Sequence, residues 1–422
     1  MKVVPPLLHL RCCFGCQGLN LVDHAPSISK SRVTKEELAE SREARHLAAM
    51  LSFWEKESFL QYDLVVIGGG ITGLSTACSF REKNPSKTVL LLESGIFPSG
   101  ASTRNAGFAC YGSAAEIIHD LKQLGEETAM QLVEMRVNGL KKLRQRLGDE
   151  AIGYEELGGG ELILQGENFQ EDQLSGLNRM LHPLFGKDVF AADNTAPARL
   201  GFNSSKIRLF IRNHVEGQIH TGKMMKSLMG KARNLGVEML SGCRALMPEA
   251  VNGSWRTGLQ NSHIEFSSER VAICTNAFIG ELMPELDVQP GRGQVLVTAP
   301  LPGLKFRGIY HFDEGFFYFR NVGNRILFGG GRNLAFEEER STRADLNQRI
   351  QEALDHYLKE LILPPGTAFE IEQRWAGIMA FGKEKTPILR DLGNGLAIGV
   401  RMNGMGVAIG SEIGEKLSEI LR

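Results

Sequence analysis

Gly68, Gly70 and Gly73 follow the apolar run Tyr62-Asp63-Leu64-Val65-Val66-Ile67 in the spacing Gly-x-Gly-x-x-Gly. Each glycine meets a separate demand of a bound dinucleotide. Gly68 permits the tight turn, Gly70 lets backbone approach a pyrophosphate, and Gly73 lets a helix pack closely on the strand. The free N–H groups of Ile71, Thr72 and their neighbours at that helix start would hold phosphate. Glu93, followed by Ser94, ends the second apolar run Thr88-Val89-Leu90-Leu91-Leu92 and lies 20 residues after Gly73. An acid at that distance binds a free ribose 2′-OH and disfavours NADP. The plain alternative is an ordinary strand-to-helix turn with a solvated Glu93. The complete βαβ pattern, with helical sequence from Ile71 to about Lys83 between the runs, favours the cofactor.

A second group of candidates lies in the aromatic stretch from Tyr310 to Phe319 and at Trp375. Strand alternation puts Phe316, Tyr318 and Arg320 on one face and Phe317 with Phe319 on the other. If the polar-tipped set faces a cofactor, Tyr318 and Arg320 would grip a substrate; sheet packing with a surface arginine is the equal alternative. His311 and Arg325 read as a hydrogen-bonded strand histidine and a hairpin charge. Cys12, Cys13 and Cys16 cluster, but no second cysteine pair or paired histidines follow at zinc spacing, so no metal is expected. Cys78, Cys110, Cys243 and Cys274 sit in apolar or glycine-rich settings and read as reduced thiols.

The elements that must position these residues fall into two interleaved lobes. The chain has 422 residues, 42% of them hydrophobic, and a formal net charge of −1 with a pI near 6.8. That balance excludes a phosphate-backbone partner, and no apolar run reaches the ~20 residues of a membrane span. Helical patterns cover 114–147 with a break at Gly125, then 171–184, 221–234 and 344–361; strands are expected at 161–164, 237–240, 263–266 and 271–274. From Gly293 to Gly330 the pattern becomes antiparallel β, with a hairpin at 321–324. Residues 1–49 read as a poorly ordered or transit-like extension, acid-poor to about Thr34, with a loosely attached helix over 36–50; Met50 could equally open the functional chain. The expected location is cytoplasmic, or organellar if residues 1–34 act as a transit peptide.

Four pieces in order carry a family resemblance over about 62–422: the Gly68 to Gly73 turn with Glu93, the loop Gly100-Ala101-Ser102-Thr103-Arg104-Asn105-Ala106-Gly107, Pro290-Gly291-Arg292-Gly293-Gln294, and Trp375-Ala376-Gly377 followed by Asn403-Gly404-Met405-Gly406-Val407. The chain resembles the D-amino-acid oxidase superfamily, the group of glycine and sarcosine oxidases and γ-glutamylputrescine oxidase. The resemblance implies an α/β protein with a Rossmann-like FAD-binding domain and a mostly antiparallel substrate domain. Residues 60–112, 206–284 and 371–422 would form the first, and 113–205 with 285–370 the second. It implies FAD contacts from Gly68, Gly70, Gly73, Glu93 and Ser94, from Ser102 through Ala106, and from Gly377, Arg401 and Asn403 through Val407. A helix starting near Gly404 would direct its positive end at the flavin edge that gains charge on reduction.

The reaction implied is hydride transfer from the carbon beside nitrogen to flavin N5, giving an imine that hydrolyses, with oxygen or another acceptor taking the electrons. The alternatives are a dehydrogenase feeding a quinone or carrier and a non-catalytic flavin-binding protein. Glycine oxidases resemble Trp-Ala-Gly-x-Arg-Pro where this chain has Trp375-Ala376-Gly377-Ile378-Met379-Ala380, so the arginine that clamps a substrate carboxylate is missing there. That shifts weight toward an amine or N-substituted amino compound. No cysteine occupies this stretch, so FAD is expected to be held noncovalently. Tyr318, Arg320 and Trp375 remain the substrate-pocket candidates.

Overall fold

The computed structural model describes residues 51–422, so the expectations for 1–49 and for a helix over 36–50 lie outside the described residues. The run before the glycine turn becomes the middle of an eight-stranded sheet. Strand Gln61–Ile67 pairs in parallel with Val89–Glu93 on one side and with Glu265–Ile273 on the other. Val237–Ser241 and Leu396–Val400 extend the parallel part outward, and Ile388–Gly393 pairs antiparallel at one edge. Leu64, Val65, Val66, Leu90 and Leu91 are fully buried, which is why these strands read as continuous apolar runs with no alternation.

Two helices cover the glycine-turn side. Ile71–Lys83 packs against Gly406–Ile420, where a Cβ on Gly414 would lie 2.6 Å from the Ser75 Cβ. Glu126–Leu147 packs on Gly406–Ile420 in turn, and a Cβ on Gly139 would meet the Ala408 carbonyl oxygen at 2.1 Å. The last helix begins two residues later than expected, because Asn403 and Gly404 adopt left-handed φ values of 46° and 79°. The strands expected at 263–266 and 271–274 are a single strand. Its polar middle reads as a turn, yet Ser268 is buried opposite Trp255 in a hairpin with Ser254–Gly258.

The second sheet also has eight strands, in the order Ile371–Phe381, Gln289–Thr298, Arg325–Gly330, Phe317–Val322, Ile309–Phe312, Gly159–Leu164, Ile207–Asn213 and Phe190–Ala192. Its neighbours run antiparallel except for Ile309–Phe312 beside Gly159–Leu164, which is parallel. Two strands counted with the cofactor lobe in the sequence reading, 207–213 and 371–381, hydrogen-bond into this sheet instead. Strand 371–381 pairs along the whole of 289–298, which displaces the expected boundary at 371, and 207–213 pairs with 159–164, which displaces the one at 206. One face of the sheet is a dry aromatic core: Phe312, Phe317, Phe319 and Phe328 are fully buried, with Phe312 and Phe317 stacked at 4.8 Å. The helix expected over 344–361 starts at Gln348, where the Asn347 side chain caps it, and ends in a π turn over Leu358–Ile362.

Candidate active site

A cleft of about 1180 Å³ lies between the two sheets, and both groups of candidates open onto it. On the first sheet's side the wall includes Gly68, Gly70, Ile71, Thr72, Glu93 and Ser94, then Ser102 and Arg104 through Ala106. Gly377 and Asn403 through Val407 line it as well. Glu93 is pinned there at 8% exposure: its Oε2 accepts from the Gly69 N–H at 3.0 Å and its Oε1 from the Gly95 N–H at 2.8 Å.

The cofactor fit follows from two helix starts. Neither Ile71–Lys83 nor Gly406–Ile420 has a cap from the side chain of its own N-cap residue or an acid in its first turn, and both begin at this cleft. Two positive helix ends without an acid in their first turns therefore converge on one space, as a pyrophosphate and the reduced edge of a flavin require. The Ser102 hydroxyl accepts from the Ile71 N–H at 3.0 Å, and a Cβ on Gly70 would stand 2.8 Å from it. The Thr275 hydroxyl, buried in the same wall, has no partner among the described residues. These residues fit FAD.

Several predicted residues stand beside the cleft instead of in it. Gly73 serves packing: its Cβ would lie 1.9 Å from the Gly68 carbonyl oxygen. The Thr103 hydroxyl donates to the Pro98 carbonyl at 2.7 Å. The Trp375 indole donates to the Arg104 carbonyl at 2.9 Å, and Arg104 Nη1 donates back to the Ala376 carbonyl at 2.8 Å. Trp375 is thus a brace between the short helix Ala101–Arg104 and its strand, because the ladder turns the indole toward that helix. Arg401, 4% exposed with φ of 66°, donates to Asp287 at 3.0 Å, the Thr386 carbonyl at 2.9 Å and Glu384 at 3.2 Å, tying loops together behind the cofactor wall. Arg320 lies on the cofactor-facing side of its strand, but donates to the Ala106 carbonyl at 2.5 Å and the Ile219 carbonyl at 3.0 Å. Its burial draws its pKa down to about 10, and it positions the Ala106 loop. Arg325 pairs with Glu372 at 2.5 Å near the sheet edge.

Tyr318 does face the cleft, as do Met379, Phe316 and Phe381. Burial pushes the Tyr318 phenol up to about 12, so it stays a hydrogen-bond donor at neutral pH. His311, on the neighbouring strand, also lines the cleft at 9% exposure, with Nε2 3.7 Å from Glu216 Oε2. Neither atom has a hydrogen-bond partner among the described residues, so this histidine is less satisfied than a strand residue of its kind should be. Burial alone would lower the His311 pKa; Glu216, with Glu161 and Glu116 behind it, outweighs burial and raises it. Glu161 is itself pushed up to about 7 by burial, although it accepts from the Ser113 hydroxyl at 2.8 Å and the Ala115 N–H at 3.0 Å. Glu116, paired with Arg136 at 3.0 Å, ends below its ordinary value despite burial.

Sequence reasoning missed this acidic floor and one cation. Glu161 carried a signal, being an acid inside the strand Gly159–Leu164, whereas Glu216 and Glu116 come from distant segments. The cation is Arg332, which lines the cleft just after Arg325–Gly330. Its guanidinium carbon sits 3.9 Å from the Phe381 ring centre and 4.8 Å from that of Phe336. Among the described residues, no three or more His, Cys, Asp and Glu side chains gather to hold a metal ion, and no helix is long and apolar enough to cross a membrane.

Comparisons with known proteins agree with this architecture. A probable oxidoreductase OrdL of Rhizobium meliloti is 26% identical over 367 residues, covering 85% of this chain and 82% of that protein. The γ-glutamylputrescine oxidoreductase of Escherichia coli is 24% identical over 380 residues, covering 85% and 83%. The crystal structure of L-proline dehydrogenase from P. horikoshii superposes with a TM-score of 0.69 at 15% identity, covering 86% of this chain and 93% of that one, a likeness of fold. The family model for FAD dependent oxidoreductases, DAO, matches residues 63–420, and the chain belongs to that family.

Proposed function

We propose that this flavoprotein oxidises the C–N bond of an amine or amino-acid-like substrate to an imine, which water then hydrolyses. The observation that carries the reading is the shared cleft: the helix starts at Ile71 and Gly406, with no acid in either first turn, and the wall of Phe316, Tyr318, Met379 and Phe381 enclose one space. FAD, when bound, supplies the acceptor for the hydride and its two electrons. Glu93, Gly70, Ser102 and the backbone from Gly404 to Val407 would hold it. The apolar side chains of Phe316, Met379 and Phe381 exclude water from the reacting C–H bond, and Tyr318 offers a fixed donor beside it. Support for the nitrogen chemistry comes from the likeness to γ-glutamylputrescine oxidoreductase and to L-proline dehydrogenase.

The test is an anaerobic screen of amines, N-alkyl amino acids and amino acids for bleaching of the visible flavin band. Bleaching by any of them, with aldehyde, keto acid or ammonia released on admitting an acceptor, is expected. A broad panel that leaves the flavin oxidised would refute the assignment. Oxygen uptake with peroxide release in the same assay identifies the acceptor.

A further inference from the structure

The acids gathered behind strand Ile309–Phe312 point to a proton-accepting group in the cleft. His311 sits in register between Glu161 on one neighbouring strand and Tyr318 on the other. The Phe108 ring stands edge-to-face with both, 5.3 Å from the imidazole and 5.4 Å from the Tyr318 ring, so the histidine shares the wall that carries Tyr318. Its two ring nitrogens meet different surroundings. Nε2 is buried without a partner among the described residues, 3.7 Å from Glu216 Oε2, which is buried without a partner as well. Nδ1 makes no hydrogen bond among the described residues and is open to the cleft. Glu216 itself is fixed, because its other oxygen accepts from the Tyr111 N–H at 2.9 Å and the Gly112 N–H at 3.2 Å.

Two facing polar atoms sealed from water with nothing to bond are costly, and one event satisfies both. When Nδ1 takes up a proton, the ring becomes a cation whose Nε2–H points at the Glu216 carboxylate, and about 1 Å of movement brings the two to hydrogen-bond distance. Burial opposes that charge, yet Glu216, with Glu161 from strand Gly159–Leu164 and Glu116 from helix Ala114–Leu124, outweighs it. The cations at this floor are engaged elsewhere, Arg136 with Glu116 and Lys385 with Asp120. Tyr318 is neutral there, its phenol pushed up to about 12. Oxidation of a C–N bond by hydride transfer needs the nitrogen lone pair. A lysine-like amine, with a pKa of ~10.4, is free base in only about one molecule in 10³ at pH 7, so an acceptor beside it matters.

We propose that His311 accepts the proton that the substrate ammonium sheds before oxidation, with Glu216 as the positioning residue that holds the charged ring. The N–H bond breaks, its electron pair stays on nitrogen as the lone pair, and the proton passes to Nδ1. The C–H bond then gives its hydride, with both electrons, to FAD and leaves a protonated imine. The inference rests on the proposed C–N oxidation, and its tests separate the two. The first needs no turnover: flavin-loaded full-length protein, isotope-labelled at the histidine rings, is titrated by NMR, the His311 signal being the one absent from His311→Gln. It should titrate above the ordinary ~6.5 and move down by about one pH unit or more in Glu216→Gln. A midpoint that Glu216→Gln leaves in place would overturn the inference. In the second, L-proline, sarcosine and butylamine are mixed anaerobically with the protein, and flavin reduction is timed against pH. The rate should rise with pH as the ammonium–imidazole pair loses its first proton. His311→Gln leaves only the amine to ionise, so the rise moves to higher pH and the rate at pH 7 falls about 10²- to 10³-fold. Glu216→Gln makes the ring more acidic, so the rise moves to lower pH and the plateau falls about 10-fold. A purely structural histidine would not shift the two profiles in opposite directions. Profiles that stay in place while an amine still reduces the flavin sink this inference and leave C–N oxidation standing; if neither these three nor any member of the wider panel reduces it, both readings fall. His311→Asn runs beside His311→Gln, and loss of FAD from both would assign the ring to structure and overturn proton acceptance.

Discussion

Replacing Glu161 by glutamine should stabilise the folded protein at alkaline pH and not at acid pH. Glu161 is 2% exposed, and burial raises its pKa from 4.5 to about 7 against the two hydrogen bonds it accepts. Between those values the folded chain holds a proton that the unfolded chain has released, so stability falls as pH rises through that window. A shift of this size disfavours the ionised folded form by about 3 kcal/mol. Glutamine cannot ionise, so it escapes that loss. It still accepts through one oxygen, and the weakened second hydrogen bond costs about 1 kcal/mol. The expected balance is a loss of about 1 kcal/mol near pH 3.5, below both pKa values, where Glu161 is protonated in the folded and the unfolded chain alike, and a gain of about 2 kcal/mol above pH 8. Urea titrations of the apoprotein at both pH values measure it, the diagnostic being the crossover in sign. A variant destabilised equally at the two pH values would show that Glu161 is ionised and well solvated by its partners throughout, and the account of the acidic floor would fail.

Gly73→Ala should abolish flavin binding and soluble yield, since its methyl would sit 1.9 Å from the Gly68 oxygen; Gly230→Ala, in mid-helix with nothing within 4 Å, should instead stabilise by about 0.5–1 kcal/mol in a denaturant titration. Retention of FAD by Gly73→Ala would refute the close approach. Trp375→Phe removes one hydrogen bond to the Arg104 carbonyl and should cost about 1 kcal/mol of stability with KM unchanged; a large KM shift at unaltered stability would return Trp375 to the substrate pocket. Acid precipitation of the holoprotein should release all yellow colour to the supernatant, and colour kept in the pellet would disprove noncovalent attachment.

The parts readable from the sequence were those whose pattern is local. The glycine spacing, the apolar run 89–92 ending in Glu93 and the helix pattern from Thr221 to Asn234 each declare themselves within about 14 residues, and each lies where expected. Tyr318 and Arg320 were placed on one face by alternation alone, correctly, but alternation says nothing about what lies opposite. For Arg320 it is two backbone carbonyls from residues 106 and 219, which no local pattern encodes. The same holds for Trp375 and Arg401, whose partners come from segments far away in the chain. Arg332 was not singled out, because its setting depends on Gly291, Phe336 and Phe381 converging on it from separate segments. Residues 207–213 and 371–381, counted within cofactor-domain segments by the resemblance, pair into the second sheet, because a strand's ladder partner is not written in its own sequence.

The order of strands around Gln61–Ile67 bears on how the protein can be made. Its neighbours come from residues 89–93 and 265–273, the next strand from 396–400, and the helix closing the cofactor wall from 406–420. A ribosome must therefore release the chain through about residue 420 before the full cofactor wall can close, and until residues 265–273 emerge one edge of strand 61–67 stays unpaired. A cofactor that binds the finished cradle and not the unfolded chain stabilises the protein by mass action, so folding yield should rise with the FAD supplied while the chain folds.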